Sequence, residues 1–553
     1  MSERSLAGST AVMAAGTLVS RILGFLRAST LVAAIGALGG AANAFDIANR
    51  LPDFFYAVLA GGLLNAILVP QIVRAYQGRH GDRFVSRLLT LGISCLAVLT
   101  LALTISAGWL VSLYTENWPA DQRSLAVVFA FFCIPQLFFF GVYTLLGQLL
   151  NARGSFGPFM WAPVVNNVFA LLGFGLFILL FGQEDAAGTV HQVGTWTSGQ
   201  IMLLAGCTTV GVAGQALVLI WPLRRLGFRF KPEWRLRGSG LGSTGRMALW
   251  TLGTLALDQI ATWVAYRTAG SAPTMGDQMA AGNAVFTNAL IVYVLPHSLI
   301  TVSLTTALFT TMSEAAGRGD IAGVRDSLSY GIRTTSVFTM FATAALIVLA
   351  WPLSRLIFFG SSPLSIEAIA TALVPLSLGL VPLGVTLLIK RVFFAFEDGR
   401  TVFTFQIPMS LLYIVGCIAT ARYLSFRWWV VGVGLSQTLS YFSGGVLRLN
   451  SLRWRIGGVD GRRLVSVHCR LAVAALLSGE IGWLSTHLID NDGGSRGWAA
   501  LTLLVAGPVM VGVYLVSLKL LGVRELNDFL APLGRRISRR WDAGPLGRHR
   551  RSS

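Results

Sequence analysis

Stretches of eighteen or more predominantly apolar residues recur along nearly the whole chain, separated by short polar breaks. That length is what an α-helix needs to cross a hydrocarbon core about 30 Å thick. The pattern predicts fourteen transmembrane spans, near 7–36, 41–73, 88–114, 124–151, 158–182, 198–222, 245–267, 280–312, 334–358, 364–389, 401–420, 428–447, 466–488 and 497–521. The first two are long enough to tilt or kink, and Gly24, Gly36 and Pro52 supply places to bend. The expected fold is therefore an all-α polytopic membrane protein.

Composition agrees with the pattern. Of 553 residues, 54% are hydrophobic and 12% charged, and the mean hydropathy is +0.67; soluble domains carry about 25% charged residues. The first apolar run is interrupted by Arg21 and Arg27 and flows into the second span, so it is expected to remain as helix 1 rather than to be cleaved as a signal. Cys95, Cys133, Cys207, Cys417 and Cys469 are scattered in or beside apolar runs without a CxxC pair, which predicts buried thiols rather than disulfides or a zinc site.

The net charge of +19 is placed for topology rather than for nucleic acid. One set of alternate loops is basic: Arg74, Arg79, Arg83 and Arg87, then Arg224, Arg225, Arg229, Lys231, Arg235 and Arg237, then Arg448, Arg453, Arg455, Arg462 and Arg463. A tail follows with Arg535, Arg536, Arg539, Arg540, Arg548, Arg550 and Arg551. The opposite set is short or acidic, with Glu116, Asp121, Glu184, Asp185, Asp490 and Asp492; Arg422 and Arg427 are its exceptions. The positive-inside rule puts both termini in the cytoplasm, and the basic loops are also expected to face anionic lipid headgroups.

A weak internal repeat organises the spans. Asn151–Arg153 followed by Pro163 resembles Ala395–Arg400 followed by Pro408, and the GRHGD of Gly78–Asp82 resembles the GRGD of Gly317–Asp320. Equivalent points lie six spans apart, an even number, so the repeats are parallel about an axis normal to the membrane. This predicts two six-helix lobes, 1–222 and 245–448, facing a central cavity. A basic linker over 223–244 joins them, and helices 13 and 14 (464–522) and a basic tail (523–553) are appended.

Charge inside the spans is the main functional signal, because an ionised side chain at a helix centre costs about 2.5–3.5 kcal/mol and so faces protein or water. Arg21 and Arg27 in helix 1 are about 120° apart around the axis and can both line a wide cavity. Asn43, Asp46, Arg50 and Asp53 fall on one face of helix 2, with Asp46 and Arg50 an i,i+4 pair. They form either a polar rim with a structural ion pair or a hydrophilic cavity wall shared with helix 1; the second is the functional expectation. In helix 7, Asp258 is a candidate cation site or a buried structural carboxylate. Arg267, Arg355, Lys390 and Arg391 lie near span ends, where snorkelling anchors sit.

Signals for an enzyme are weak. None of the three lysines (Lys231, Lys390, Lys519) lies in a phosphate-binding loop, and the six histidines show no metal-ligand spacing. His297, beside Pro296 in an apolar span, reads as a satisfied core residue. No cofactor or metal is expected, with Na⁺ or H⁺ as the only candidate coupling ion.

Helices 1 and 2 also carry a resemblance. SRILGFLR (Ser20–Arg27) and NAFDIANRLPDFFYAVLAGGLLNAILVPQIVRAY (Asn43–Tyr76) closely resemble the MurJ/MviN family of lipid II flippases. NARGSFGPFMWAP (Asn151–Pro163) and LPHSLITVSLTTAL (Leu295–Leu308) extend the resemblance over roughly residues 5–520, in an actinobacterial version. It implies a fourteen-helix member of the multidrug/oligosaccharidyl-lipid/polysaccharide exporter superfamily, which moves an undecaprenyl-diphosphate-linked cell-wall precursor outward by alternating access. Arg21 and Arg27 match the arginines that the family is taken to use on the diphosphate. Asn43 stands where well-studied members carry an aspartate, Tyr56 replaces a further helix-2 arginine, and Ile291 takes the helix-8 position of another; Asp46 and Arg50 are expected to compensate in part.

The resulting expectation is a lipid II flippase driven by membrane potential or an ion gradient. Its substrate-binding set is Arg21, Arg27, Asn43, Asp46, Arg50 and Asp53. Its partners are the anionic lipid-linked substrate, membrane lipids and cell-wall synthesis or division proteins. The alternatives are a cation-coupled multidrug-type exporter working through Asp258, and a membrane scaffold that recruits cell-wall enzymes.

Overall fold

A computed structural model describes residues 3–60, 81–185, 190–234, 245–275, 279–489 and 495–525. Arg74, Arg79, Arg235, Arg237, Asp490, Asp492 and the arginines of the tail lie outside the described residues.

Among the described residues the regular structure is helical throughout. The first helices are α1 (Glu3–Ile35), α2 (Gly40–Val58), α3 (Gly81–Ile105, continued by Ala107–Tyr114), α4 (Ala120–Cys133 and Gln136–Ala152), α5 (Gly157–Phe181) and α6 (Ser198–Leu217, continued by Ile220–Arg225). Next come α7 (Gly245–Ser271), α8 (Asn283–Pro296 and Val302–Gly317, joined by the wide π turn His297–Thr301), α9 (Ile321–Val348, with Ala350–Ile357) and α10 (Pro363–Ser377 and Leu380–Ala395). The last are α11 (Gly399–Tyr423), α12 (Trp429–Arg455), α13 (Gly461–Ile489) and α14 (Arg496–Leu520).

Every predicted span falls on one of these helices as far as they are described. Ten of them are long and apolar enough to cross a membrane, and α10, bent by 47°, makes an eleventh as one broken span. The other three predicted spans are α2, α7 and α12; α2 carries Asp46, Arg50 and Asp53, and α7 carries Asp258. Leu179, Ile105, Leu504 and Leu520 are each more than 70% exposed. A surface so apolar suits lipid rather than water.

The chain divides into two compact units. One takes Met1–Val292, Ser354–Pro375 and Asp398–Ser440. In it α1 packs on α5, α5 on α6, α2 on α4, and α7 on α11. Hydrophobic burial does little to join helices in lipid, so close backbone approach and interhelical hydrogen bonds do more of the work. A Cβ on Gly147 would stand 2.0 Å from the Phe159 ring, and one on Gly173 would stand 2.3 Å from Cys207 Cβ; only glycine lets α4 meet α5, and α5 meet α6, this closely. Gln136 of α4 donates to Asn49 Oδ1 of α2 at 3.2 Å and to Thr208 Oγ1 of α6 at 3.0 Å.

Two sequence motifs meet in this unit. Arg153, of the NARG turn after α4, pairs with Asp82 of the GRHGD motif and donates to the Leu226 carbonyl at 2.8 Å. The repeat marks Asp82 and Arg153 only as separate signposts.

The other unit takes Tyr293–Leu353, Leu376–Glu397 and Tyr441–Ser553. Here α13 and α14 pack on each other and on α9, around Val337, Leu471, Ala474, Tyr514 and Leu518. Tyr514 Oη donates to the Val337 carbonyl at 2.7 Å, and His468 Nε2 lies 2.8 Å from Ser336 Oγ. A buried ion pair completes the joint: Arg333 Nε lies 2.6 Å from Glu525 Oε1, both side chains being at most 7% exposed, and Arg333 Nη1 donates to Ser329 Oγ at 2.6 Å.

Four expectations need correction. Cys133 and Cys417 are buried as predicted, but Cys95 and Cys469 are exposed, because an apolar surface accepts a thiol as readily as a core does. Arg448 is not a loop residue: α12 runs on to Arg455, and Arg448 is 1% exposed within it. Arg267 is more than a snorkelling anchor, since it pairs with Glu116. His297 is not fully satisfied, for its buried Nδ1 has no hydrogen-bond partner among the described residues.

Candidate functional site: a polar cavity between α1, α2, α5 and α8

The turn between α1 and α2 sets the site. Gly36 (φ 76°) and Gly39 (φ 91°) hold left-handed backbone that favours glycine, which lets the chain reverse within four residues. At 1.5 Å per residue, Arg27 on α1 and Arg50 on α2 then lie about 12 and 15 Å from that turn, at similar depth. Gly24, opposite Asn167 of α5, leaves room beside them.

A cavity of ≈ 230 Å³ opens here. Its polar wall is Arg27, Asp46, Asn49, Asn167, Thr287 and Asn288, and Leu31, Phe45 and Ile291 are among its apolar members. Asn167 Nδ2 is held by the Ser20 carbonyl at 2.8 Å, and Asp46 Oδ2 accepts from Asn283 Nδ2 at 2.8 Å. Helices 1 and 2 thus contribute a cation and a carboxylate, Arg27 and Asp46, to the same chamber. Ile291 lines it at the position where the resemblance leads one to miss an arginine.

Arg50 stands beside this wall. Its Nη2 donates to Thr287 Oγ1 at 3.2 Å, and its guanidinium carbon lies 3.8 Å from the centre of the Tyr266 ring. Tyr266 Oη in turn lies 3.1 Å from Thr287 Oγ1. The ring and the hydroxyl fix the guanidinium, while its buried Nε has no acceptor among the described residues. Asp53 is exposed and interacts electrostatically with both Arg50 and Arg27. An exposed carboxylate this far along an intramembrane helix needs water around it. Arg21 is half-buried and is not among the cavity's walls.

Asn43 has a different setting from its expected one. It is fully buried; its Nδ2 donates to the Gly39 carbonyl at 2.9 Å, its Oδ1 accepts from Ala284 N at 3.1 Å, and its own carbonyl accepts from Asn283 Nδ2 at 3.1 Å. Gly282 allows this, since a Cβ there would stand 2.5 Å from Asn43 Oδ1. The side chain latches α2 to the start of α8 instead of facing the chamber. Asn43→Ala is expected to cost about 1–3 kcal/mol of stability by leaving buried amide partners unpaired. A lowered unfolding midpoint in detergent, with headgroup affinity of the folded fraction unchanged, is the outcome to look for.

Asp258 on α7 is exposed and accepts from Gln406 Nε2 of α11 at 3.4 Å; Gln406 also donates to Ser410 Oγ at 3.2 Å. This carboxylate, amide and hydroxyl form a group apart from the cavity wall. Among the described residues no cluster of three or more His, Cys, Asp or Glu side chains is arranged for a metal ion.

Asn49, Asn167 and Asn288 are the wall residues that sequence reasoning passed over. The signal was present: an amide in the middle of an apolar span has to find a partner or water, as a charge does.

Comparison with known proteins agrees with this architecture. Probable lipid II flippases MurJ of Vibrio cholerae and of Synechocystis are 24% and 25% identical to this chain, over 96% and 95% of it and 98% and 96% of their own lengths. Among solved structures, one described as lipid II flippase MurJ in an inward closed conformation superposes with a TM-score of 0.69 at 18% identity, covering 91% of this chain and 97% of that one. An inward-facing multidrug resistance MATE family transporter gives 0.63 at 18% identity, covering 80% and 96%. The family model described as Lipid II flippase MurJ matches residues 31–496, well over half of the sequence, and the chain belongs to that family.

Proposed function

We propose that this chain is a lipid II flippase, carrying the diphosphate-linked cell-wall precursor from the inner to the outer leaflet of the bacterial plasma membrane. The observation that carries the reading is a polar chamber inside an apolar helix bundle, with the Arg27 guanidinium in its wall and Arg50 beside it. Guanidinium groups pair with phosphate oxygens through planar, charge-assisted hydrogen bonds. The side-chain amides of Asn49, Asn167 and Asn288 offer donors and acceptors to a sugar–peptide headgroup, while the polyprenyl chain stays in lipid.

In this reading both termini are cytoplasmic and the six-helix lobes 1–222 and 245–448 alternate in access around the chamber. The protein acts as a carrier and not as an enzyme. A membrane potential of about 100 mV, negative inside, favours outward movement of roughly two negative charges by about 4–5 kcal/mol, so no nucleotide is required. Asp258, with Gln406 and Ser410, is the place where a coupling Na⁺ or H⁺ would bind.

The test is depletion of the protein in its host with leaflet-resolved labelling of the precursor, followed by re-expression. Loss of outer-leaflet precursor that re-expression restores is expected. Outer-leaflet precursor that persists without the protein rejects the reading.

A further inference from the structure

The chamber's charges nearly cancel. Arg27 and Arg50 are matched by Asp46 and Asp53, and the two carboxylates bracket Arg50 along one face of α2, four residues before it and three after. The two acids are not equivalent. Asp46 is tied to Asn283 at 2.8 Å, whereas Asp53 is exposed, stands one helical turn after Arg50 and interacts electrostatically with both guanidinium groups. Arg50 is itself held in place by Thr287 and Tyr266 and keeps a buried Nε without an acceptor among the described residues. Arg50 and Asp46 are thus held by their neighbours, and Asp53, exposed one turn from Arg50, is the carboxylate without such a tether among the described residues.

We propose that Asp53 is an internal counter-ion that occupies Arg27 and Arg50 in the empty carrier and is displaced by the substrate's phosphates. This rests on the flippase reading above and assigns Asp53 a role opposite to that of a substrate ligand. Binding becomes an exchange of anions: phosphate oxygens take the guanidinium groups, and the carboxylate turns to the chamber water. Release is the reverse exchange, with Asp53 competing for the cations as the headgroup leaves. The empty carrier then returns with neutralised arginines, avoiding the cost of carrying bare cations through a low-dielectric core. Asp53 is therefore a positioning residue, setting affinity against turnover.

The experiment measures binding of a short-chain polyprenyl diphosphate to purified full-length protein in detergent, together with complementation of a flippase-depleted strain. Asp53→Asn is expected to bind the diphosphate about tenfold more tightly, the effect of deleting one charge-assisted competitor, and to complement poorly. Asp53→Glu is expected to restore both properties, and Asp46→Asn to change affinity by less. A structural lesion does not tighten binding, so equal or weaker binding by Asp53→Asn overturns the proposal. Arg27→Ala separates the two claims. Diphosphate binding as tight in Arg27→Ala as in the wild type, or absent from the wild type, rejects the flippase site itself and the exchange with it.

Discussion

Arg27→Ala is expected to abolish complementation of a flippase-depleted strain and to weaken diphosphate binding by about ten- to a hundredfold, the range for losing a charge-assisted hydrogen bond of roughly 1.5–3 kcal/mol. The effect should be large because Arg27 is the guanidinium in the cavity wall, and the arginine missing at Ile291 leaves little redundancy. Arg27→Lys is expected to recover only part of the loss, since an ammonium keeps the charge without the planar donor pair. Binding by Arg27→Ala equal to wild type would show that phosphate is held elsewhere. Unfolding midpoints of the variants check that the effect is on the site, because a half-buried arginine facing water has little packing to lose.

The second large effect is on stability. Arg333→Ala is expected to destabilise the protein by at most about 3–5 kcal/mol, since it leaves the buried Glu525 carboxylate, in the joint between α9 and the end of α14, with only the exposed Arg463 guanidinium 3.9 Å away. Glu525→Ala should be comparably harmful, leaving Arg333 with Ser329 and, at 3.9 Å, the exposed Asp460 carboxylate. Replacing both by apolar residues of similar volume should restore most of the loss, because two desolvation penalties disappear together. Thermal unfolding in detergent of the two single variants and the double variant decides this. Single variants that melt with the wild type would mean that water reaches the pair and screens it.

What could be read from the sequence follows from how far apart the interacting groups are in the chain. The spans were legible because the bilayer imposes one length on all of them, and the more polar helices α2, α7 and α12 still stand out as apolar stretches between polar breaks. The cavity wall was half legible: Arg27 and Asp46 stand out as charges in apolar runs, and their presence in one chamber follows from helices 1 and 2 being neighbours. Asn43 was misplaced because its partners, Asn283 and Ala284, are 240 residues away, and periodicity on one helix cannot tell a face turned to a chamber from one turned to another helix. The Arg333–Glu525 pair was missed for the same reason, at a separation of 192 residues. Exposed thiols at Cys95 and Cys469 escaped the rule that apolar neighbours imply burial, a rule that belongs to proteins in water.

The wide turn at His297–Thr301 has a consequence for motion. Pro296 offers no N–H to the preceding turn, and a π turn holds one residue more than an α turn. Such a surplus residue can migrate along a helix by exchanging a few hydrogen bonds at a time. Each residue that it passes rotates by about 100°, the angle between successive α-helical positions. α8 therefore contains a ready-made slip in its own winding, by which residues such as Thr301 can change the direction they face while the ends of the helix stay anchored.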